Sequence, residues 1–469
     1  MRLLTNDLLT NDILLSIFDR ISLLQRKRLS RVCKRWKELI DITFLWVTVF
    51  SAVDARRCVC DWEPSNWLSL KFVSKDDYIR LPKVSASEIL AKMAHKLPNL
   101  VAIDLECCDM SNRIIRDILN SCKKIERINL DSSTRLNSYS FNLMCQEWNS
   151  LRHVNLSCCS EVNEVSARFL IQNLPLLESL NLCGTRINGR CLASLNSNMK
   201  RLDISYCWAV QEDGLKALST AKCNDLVELS VNNFDFDNSE ICMIDICKNF
   251  PNLRHLQMSI GPCVAHDYFV DRVTSRGFSA IAKLKYLETL VIEKICIMDD
   301  NALTTILKGC KYLRRLRLNL GWLNHCTDAS FSRIGTLVSD LEELHISYPS
   351  SLSTRGMMGL SNLKRLKSLS LVNTDVDNDI FKFIDSHENL TKINFDECRK
   401  VTLRGFNHLC RIASRRPYVK FRASLIGTGI NVSRLKGRSN FPQNLFADVS
   451  SFRSTKYHMV FPPPPVIDA

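Results

Sequence analysis

This sequence predicts an α/β solenoid, on three observations. A nine-residue phrase with apolar side chains at positions 1, 4 and 6 returns along most of the chain. Its middle alternates with the period of a strand, and a stretch with helical spacing follows each copy. The clearest copy is Leu151–Cys159 (LRHVNLSCC). Val154 and Leu156 point one way from a short strand, while His153, Asn155 and Ser157 point the other way, toward water. One such strand cannot bury its own apolar row, so it requires neighbours of the same kind.

Those neighbours begin at Leu100, Ile125, Leu177, Met199, Leu226, Leu253, Leu287, Leu313, Leu341, Leu366 and Leu390. Most are separated by about 26 residues, the L-x-x-L-x-L-x-x-N/C form of a leucine-rich-repeat solenoid with one coil per repeat. Helical stretches follow the strands, as in Val210–Leu218, Met298–Leu307 and Val401–Leu409. Strand plus helix in one coil places parallel strands on a concave face and helices on a convex one. Twelve strands at about 4.8 Å spacing make a wall on the order of 55 Å long, enough for the roughly 800 Å² per partner of a specific protein interface. Repeat leucines such as Leu180 and Leu290 read as scaffold.

The chain has 469 residues, 46% of them hydrophobic and 24% charged, the balance of a folded protein. No apolar run reaches membrane-spanning length, so no membrane partner is expected. Of the 21 cysteines, Cys108, Cys159, Cys207 and Cys398 fill position 9 of the phrase. A small, weakly polar buried group belongs there, which predicts free thiols and a cytoplasmic or nuclear protein. Asn6, Asp7, Asn11 and Asp12 interrupt the first leucines, so no signal-peptide core forms. The net charge of +14 is concentrated at the two ends, and the repeat body is nearly neutral.

The first fifty residues carry a different pattern. Ile13, Leu14, Ile17, Phe18 and Ile21 recur at helical spacing, and Leu29, Val32, Cys33, Trp36, Leu39 and Ile40 form a second apolar row. Basic residues from Arg26 to Lys37 lie between the members of that second row. A three-helix unit ending near Leu45–Trp46 fits. Leu9–Phe18, then Leu29–Trp36 with its Val-Cys-Lys-Arg-Trp core, then Leu45–Trp46, resembles an F-box. Together with the downstream repeats, the chain resembles the F-box/leucine-rich-repeat family. That resemblance implies an F-box docked on the Skp-type adaptor of an SCF-type cullin–RING ubiquitin ligase, with repeats that bind a protein substrate. By position, Leu9, Ile13, Leu14, Ile17, Phe18 and Ile21 would face the adaptor, and Cys33, Trp36 and Trp46 would be F-box core. The sequence departs from the family at Thr10, where Pro is usual, and at Gln25–Arg26–Lys27, where an acidic–Leu–Leu is usual. These departures keep open a repeat scaffold that does not engage the ligase.

The expected organisation is an F-box over 5–50, irregular leading coils over 51–99, the solenoid with a capping strand over 100–425, and a basic, Pro-ending tail over 426–469. Strand-like residues at Val47–Phe50 and Trp67–Phe72, and a helical stretch at Ser87–Lys96, mark the leading coils. Cys58 and Cys60 have no second ligand pair at metal spacing, so no metal or other cofactor is expected. No phosphate-cradling loop, H-E-x-x-H or other catalytic constellation stands out, so any ubiquitin chemistry belongs to partners.

Specificity is expected at positions 3, 5 and 7, which face away from the core. Their acids (Asp104, Glu106, Asp131, Asp203, Glu228, Glu293, Glu343, Asp396) outnumber their bases (Arg127, Arg201, Arg315, Arg317, Lys392), which argues against nucleic acid there. His153, His255 and His345 share that face on separated strands. Arg315 and Arg317 form a cationic pair suited to a carboxylate or phosphate, or alternatively pair with Glu343. Tyr206, Trp208, Trp322 and Tyr348, near strand ends, are candidate substrate anchors. So are Tyr268 and Phe269, in the longest interval between phrases.

Overall fold

The computed structural model describes residues 48–51, 69–73, 100–106, 108, 110–234, 239–260, 273–295, 298–320, 324–349, 351–431 and 441–449. The three-helix reading that ends near Leu45–Trp46, Cys58, Cys60 and the helix expected at Ser87–Lys96 lie outside these residues. The chain divides into two compact units, Met1–Met258 and Ser259–Ala469.

In the amino-terminal unit the strands are β1 (Thr48–Ser51), β2 (Ser69–Val73), β3 (Ala102–Asp104), β4 (Arg127–Asn129), β5 (His153–Asn155), β6 (Ser179–Asn181), β7 (Arg201–Asp203) and β8 (Glu228–Phe234). Each pairs in parallel with the next in chain order. Strand β9 (His255–Ile260) crosses the division. The carboxy-terminal unit continues with β10 (Thr289–Ile295), β11 (Arg315–Leu320), β12 (Glu343–Ser347), β13 (Ser368–Val372), β14 (Lys392–Asn394), β15 (Phe421–Ser424) and β16 (Leu445–Asp448). These too are parallel neighbours in sequence order. The last strand, β16, falls beyond the final phrase, in the stretch read from sequence as tail.

The phrase explains the core. Position 1 (Leu151, Leu313), position 4 (Val154, Leu316) and position 6 (Leu156, Leu318) are buried in copy after copy. The stretch after each strand buries a matching stripe, as Ala167, Leu170 and Ile171 do in the helix Glu164–Asn173. Neighbouring helices then pack side by side within each unit. Leu180 and Leu290 are fully buried, as scaffold residues should be.

Position 9 has a specific task. The Cys159 thiol donates to the Leu130 carbonyl at 3.0 Å, Cys207 to Leu182 at 3.0 Å and Cys398 to Leu371 at 3.0 Å. Each acceptor is the position-6 carbonyl of the preceding repeat. Ser133 fills position 9 of the second phrase and donates to Leu105 at 2.8 Å. All described cysteines are free, and burial pushes thiols such as Cys159 and Cys326 up to about 12, far from thiolate reactivity.

Helices start about two residues later than the hydrophobic pattern suggests: Glu212–Ser219, Asp300–Gly309 and Leu403–Arg415. Met298 and Val401 are buried in the turn rather than in a helix, and an extended N-cap residue follows each. Caps define these starts. Asn137 and Asn163 each accept from two first-turn N–H groups, and Asp299 accepts from Ala302 at 2.7 Å.

Candidate protein-interaction face

Backbone register sorts the solvent-facing side chains into rows, and each row behaves differently. Position 2 holds an alternating charge ladder. Glu178 accepts from Arg152 at 2.6 Å and from Lys200 at 2.8 Å; Glu342 accepts from Lys367 at 2.6 Å and lies 3.9 Å from Arg314. The hydrogen bond from Lys200, with that from Arg152, holds the Glu178 carboxyl below its usual range, and Lys367 does the same for Glu342. These charges neutralise one another.

Position 5 serves the turn that follows the strand. Asn129, Asn155, Asn181 and Asp203 each accept, with Oδ1, the backbone N–H two residues on, at 2.8–3.0 Å. Asn394 does the same for Asp396 at 2.8 Å. Asp104 accepts from the Glu106 N–H and from Asn129 Nδ2 at 2.9 Å. Burial raises the Asp203 carboxyl against the hydrogen bond from Ser205. Two of the acids counted as recognition charges, Asp104 and Asp203, are therefore committed to the fold. The recurrence of Asn or Asp at position 5 is the sequence signal for this role.

In seven copies position 8 is left-handed. Ser132, Cys158, Tyr206, Tyr348, Asn373 and Glu397 have φ between 52° and 61°, and Gly184 has φ 68°. Their N–H groups donate to the position-7 carbonyl of the next repeat, as Tyr206 does to Asn232 and Tyr348 to Val372, both at 3.0 Å. Tyr206 and Tyr348 are thus turn residues with half-buried side chains. Trp208, two residues beyond Tyr206, is 67% exposed. Trp208→Ala is expected to change unfolding free energy by no more than about 0.5 kcal/mol, measured by urea denaturation. A loss above about 2 kcal/mol would place it among the packing residues.

Arg315 and Arg317 are both exposed on β11, and each rests against a different acid. Arg315 lies 3.6 Å from Glu343, and Arg317 lies 3.9 Å from Glu293 on the other neighbouring strand. The sequence offered Glu343 as a partner, and the structure assigns it to Arg315 alone. His345 packs beside Arg317 across the register. Burial, with the Arg317 charge, lowers its imidazole to about 4. Burial and the charges of Arg201 and Arg127 likewise lower His153. Among the described residues no group of three or more His, Cys, Asp or Glu side chains is placed to hold a metal ion. Trp322, Tyr268, Phe269 and the adaptor-facing set Leu9, Ile13, Leu14, Ile17, Phe18 and Ile21 lie outside the described residues.

Sequence reasoning missed one cationic pair. Lys392 on β14 and Arg422 on β15 are register partners in the position-3 row, and both are exposed. A capping strand is expected from sequence before 425, but Lys420 stands where the phrase would have its first leucine, so its register against β14 is not legible from the pattern.

An F-box-like family model matches residues 11–52. A human relative, F-box/LRR-repeat protein 12, is 28% identical over 128 residues, covering 25% of this chain and 38% of that protein. The match thus spans well under half of the relative's length. A chain of the solved yeast Rad7 and Elc1 complex shares the fold at a TM-score of 0.55 and 16% identity, over 76% of this chain and 86% of that one. Among the described residues no helix is long and apolar enough to cross a membrane. With an F-box-like segment ahead of a leucine-rich-repeat solenoid, the chain is similar to F-box/leucine-rich-repeat proteins.

Proposed function

We propose that this protein is the substrate-recognition subunit of an SCF-type cullin–RING ubiquitin ligase, working in the cytosol or nucleus. The observation that carries the reading is the joining of an F-box-like segment at 11–52 to a repeat array with an open row of side chains. The F-box residues Leu9, Ile13, Leu14, Ile17, Phe18 and Ile21 engage the Skp-type adaptor, and the strand face holds a protein substrate. The chain does no bond chemistry itself. It raises the effective concentration of a substrate lysine near a charged conjugating enzyme.

Affinity purification of the full chain tests this. Wild type is expected to recover adaptor and cullin, and Ile17→Asp with Phe18→Asp to lose both while the solenoid still unfolds at its normal midpoint. Two buried charges on a docking face cost more than a typical interface gains. A stable chain that recovers neither partner supports the scaffold reading, which Thr10 and Gln25–Lys27 favour. RNA recovered at low salt and released at high salt would support nucleic-acid binding instead.

A further inference from the structure

Lys392 and Arg422 are an unusual pair of neighbours. Directly paired positions on parallel strands bring side chains to about 4.8 Å, and like charges at that spacing oppose folding. Elsewhere on the strand layer cations are matched: Arg315 with Glu343, Arg317 with Glu293, Arg201 with Glu228. Lys392 and Arg422 have no ion-pair or side-chain hydrogen-bond partner among the described residues. The acids near them are already used or displaced. Asp396 accepts from the Ser424 hydroxyl at 2.7 Å and the Ile426 N–H at 2.8 Å, Glu343 is two strands away, and Asp448 lies on β16 in the next row.

A second observation lies between this pair and Arg315/Arg317. Ser370 on β13 is the register partner of His345 on β12, and Ser347 stands two residues further along β12. Ser347 is 3% exposed, and neither its hydroxyl nor that of Ser370 has a hydrogen-bond partner. A buried hydroxyl left unsatisfied is costly, and a ligand oxygen would satisfy it. The amino-terminal unit shows the opposite balance, with Asp104, Glu106, Asp131, Asp203 and Glu228 against Arg127 and Arg201 in the same rows.

We propose that the β11–β15 face of the carboxy-terminal unit binds an extended peptide with two acidic side chains, one taken by Arg315 and Arg317 in exchange for their weak, long contacts with Glu343 and Glu293, and the other by Lys392 and Arg422. The intervening chain lies over His345, Ser347 and Ser370. This deepens the substrate-receptor reading and rests on it. Three strand steps from β11 to β14 span about 14 Å, which an extended peptide covers in about four residues. Carboxylate and phosphate share the required chemistry: a compact anion taking charge-assisted hydrogen bonds from Arg and Lys.

Decapeptide arrays probed with the purified full chain test this. Two positions carry Ala, Lys, Asp or phosphoserine, separated by one to six residues. Asp or phosphoserine about four residues apart is expected to bind at least about tenfold more tightly than Ala or Lys. Lys392→Glu with Arg422→Glu is expected to remove that preference without moving the unfolding midpoint. Retention of phosphoserine alone identifies phosphate as the source, and equal retention of Asp identifies carboxylate. Equal binding of Ala and acidic peptides, or an acidic preference that survives charge reversal, overturns the proposal. Adaptor recovery by the same variant is read separately. Its loss in wild type counts against the ligase reading and leaves the peptide result standing.

Discussion

Trp148→Ala is expected to lower unfolding free energy by about 4 kcal/mol, enough to unfold the first repeats at moderate denaturant. The indole is 1% exposed and is among the largest fully buried side chains. Removing a buried Trp or Phe costs about 3–5 kcal/mol in transfer and cavity terms. A polar loss adds to that. Trp148 Nε1 donates to the Cys122 carbonyl at 2.7 Å, and that carbonyl belongs to the C-cap of the preceding helix, Asn112–Ser121. One side chain therefore fills the core of its own repeat and closes the end of its neighbour's helix. Solenoid stability is close to a sum of repeat terms and nearest-neighbour terms, and this residue contributes to both. Trp148→Phe separates them: it keeps most of the volume and loses the hydrogen bond, for an expected cost of about 1–2 kcal/mol. Urea midpoints of the two variants against wild type check the pair. Equal costs would mean that the hydrogen bond dominates.

Trp148 also shows what the sequence discloses and what it hides. It stands three residues before the phrase beginning at Leu151. The same offset gives Cys122, Leu174, Cys223, Phe250, Leu284, Cys310, Val338, Leu363 and His387, all buried, and the half-buried Asn196. This column has a fixed place but no fixed residue type, so a pattern of leucines passes over it. The strands were legible because positions 1, 4 and 6 need aliphatic side chains of one size. The position-9 thiols were legible because few other small groups donate weakly. The left-handed position 8 was not, since Ser132, Tyr206, Asn373 and Glu397 share only a backbone conformation. At the candidate site, Arg315 and Arg317 were readable as charges, but their separate partners depend on which strands flank β11. The Lys392–Arg422 pair stayed hidden because Lys420 breaks the phrase and an interval of 30 residues replaces the usual 26 or so.

Acidification from pH 7.5 to 5 is expected to destabilise the solenoid, and His345→Gln with His387→Leu to remove most of that loss. Burial lowers both imidazoles: His345 goes to about 4, and His387, 3% exposed in its apolar column, is also lowered. The His387 Nδ1 lies 2.8 Å from the Phe383 carbonyl, while Nε2 has no partner. A histidine whose folded pKa lies below its unfolded value binds fewer protons in the native state. Full stability is then present above about pH 6.5 and falls as pH drops toward the folded value. For His345, lowered from 6.5 to about 4, only the part from 6.5 to 5 falls inside this window, about 2 kcal/mol at 1.4 kcal/mol per unit. Its partial exposure reduces the expected share to about 1–2 kcal/mol. Holding the window above pH 5 keeps the paired carboxylates Glu178 and Glu342 ionised, so they add little to the slope. At pH 7.5 His387→Leu is expected to match or exceed wild type, because leucine fills this column elsewhere and leaves no orphan nitrogen. Urea titrations at pH 7.5 and 5 give the difference directly. A pH slope identical in wild type and the double variant would move the acid sensitivity to other groups, His153 first among them.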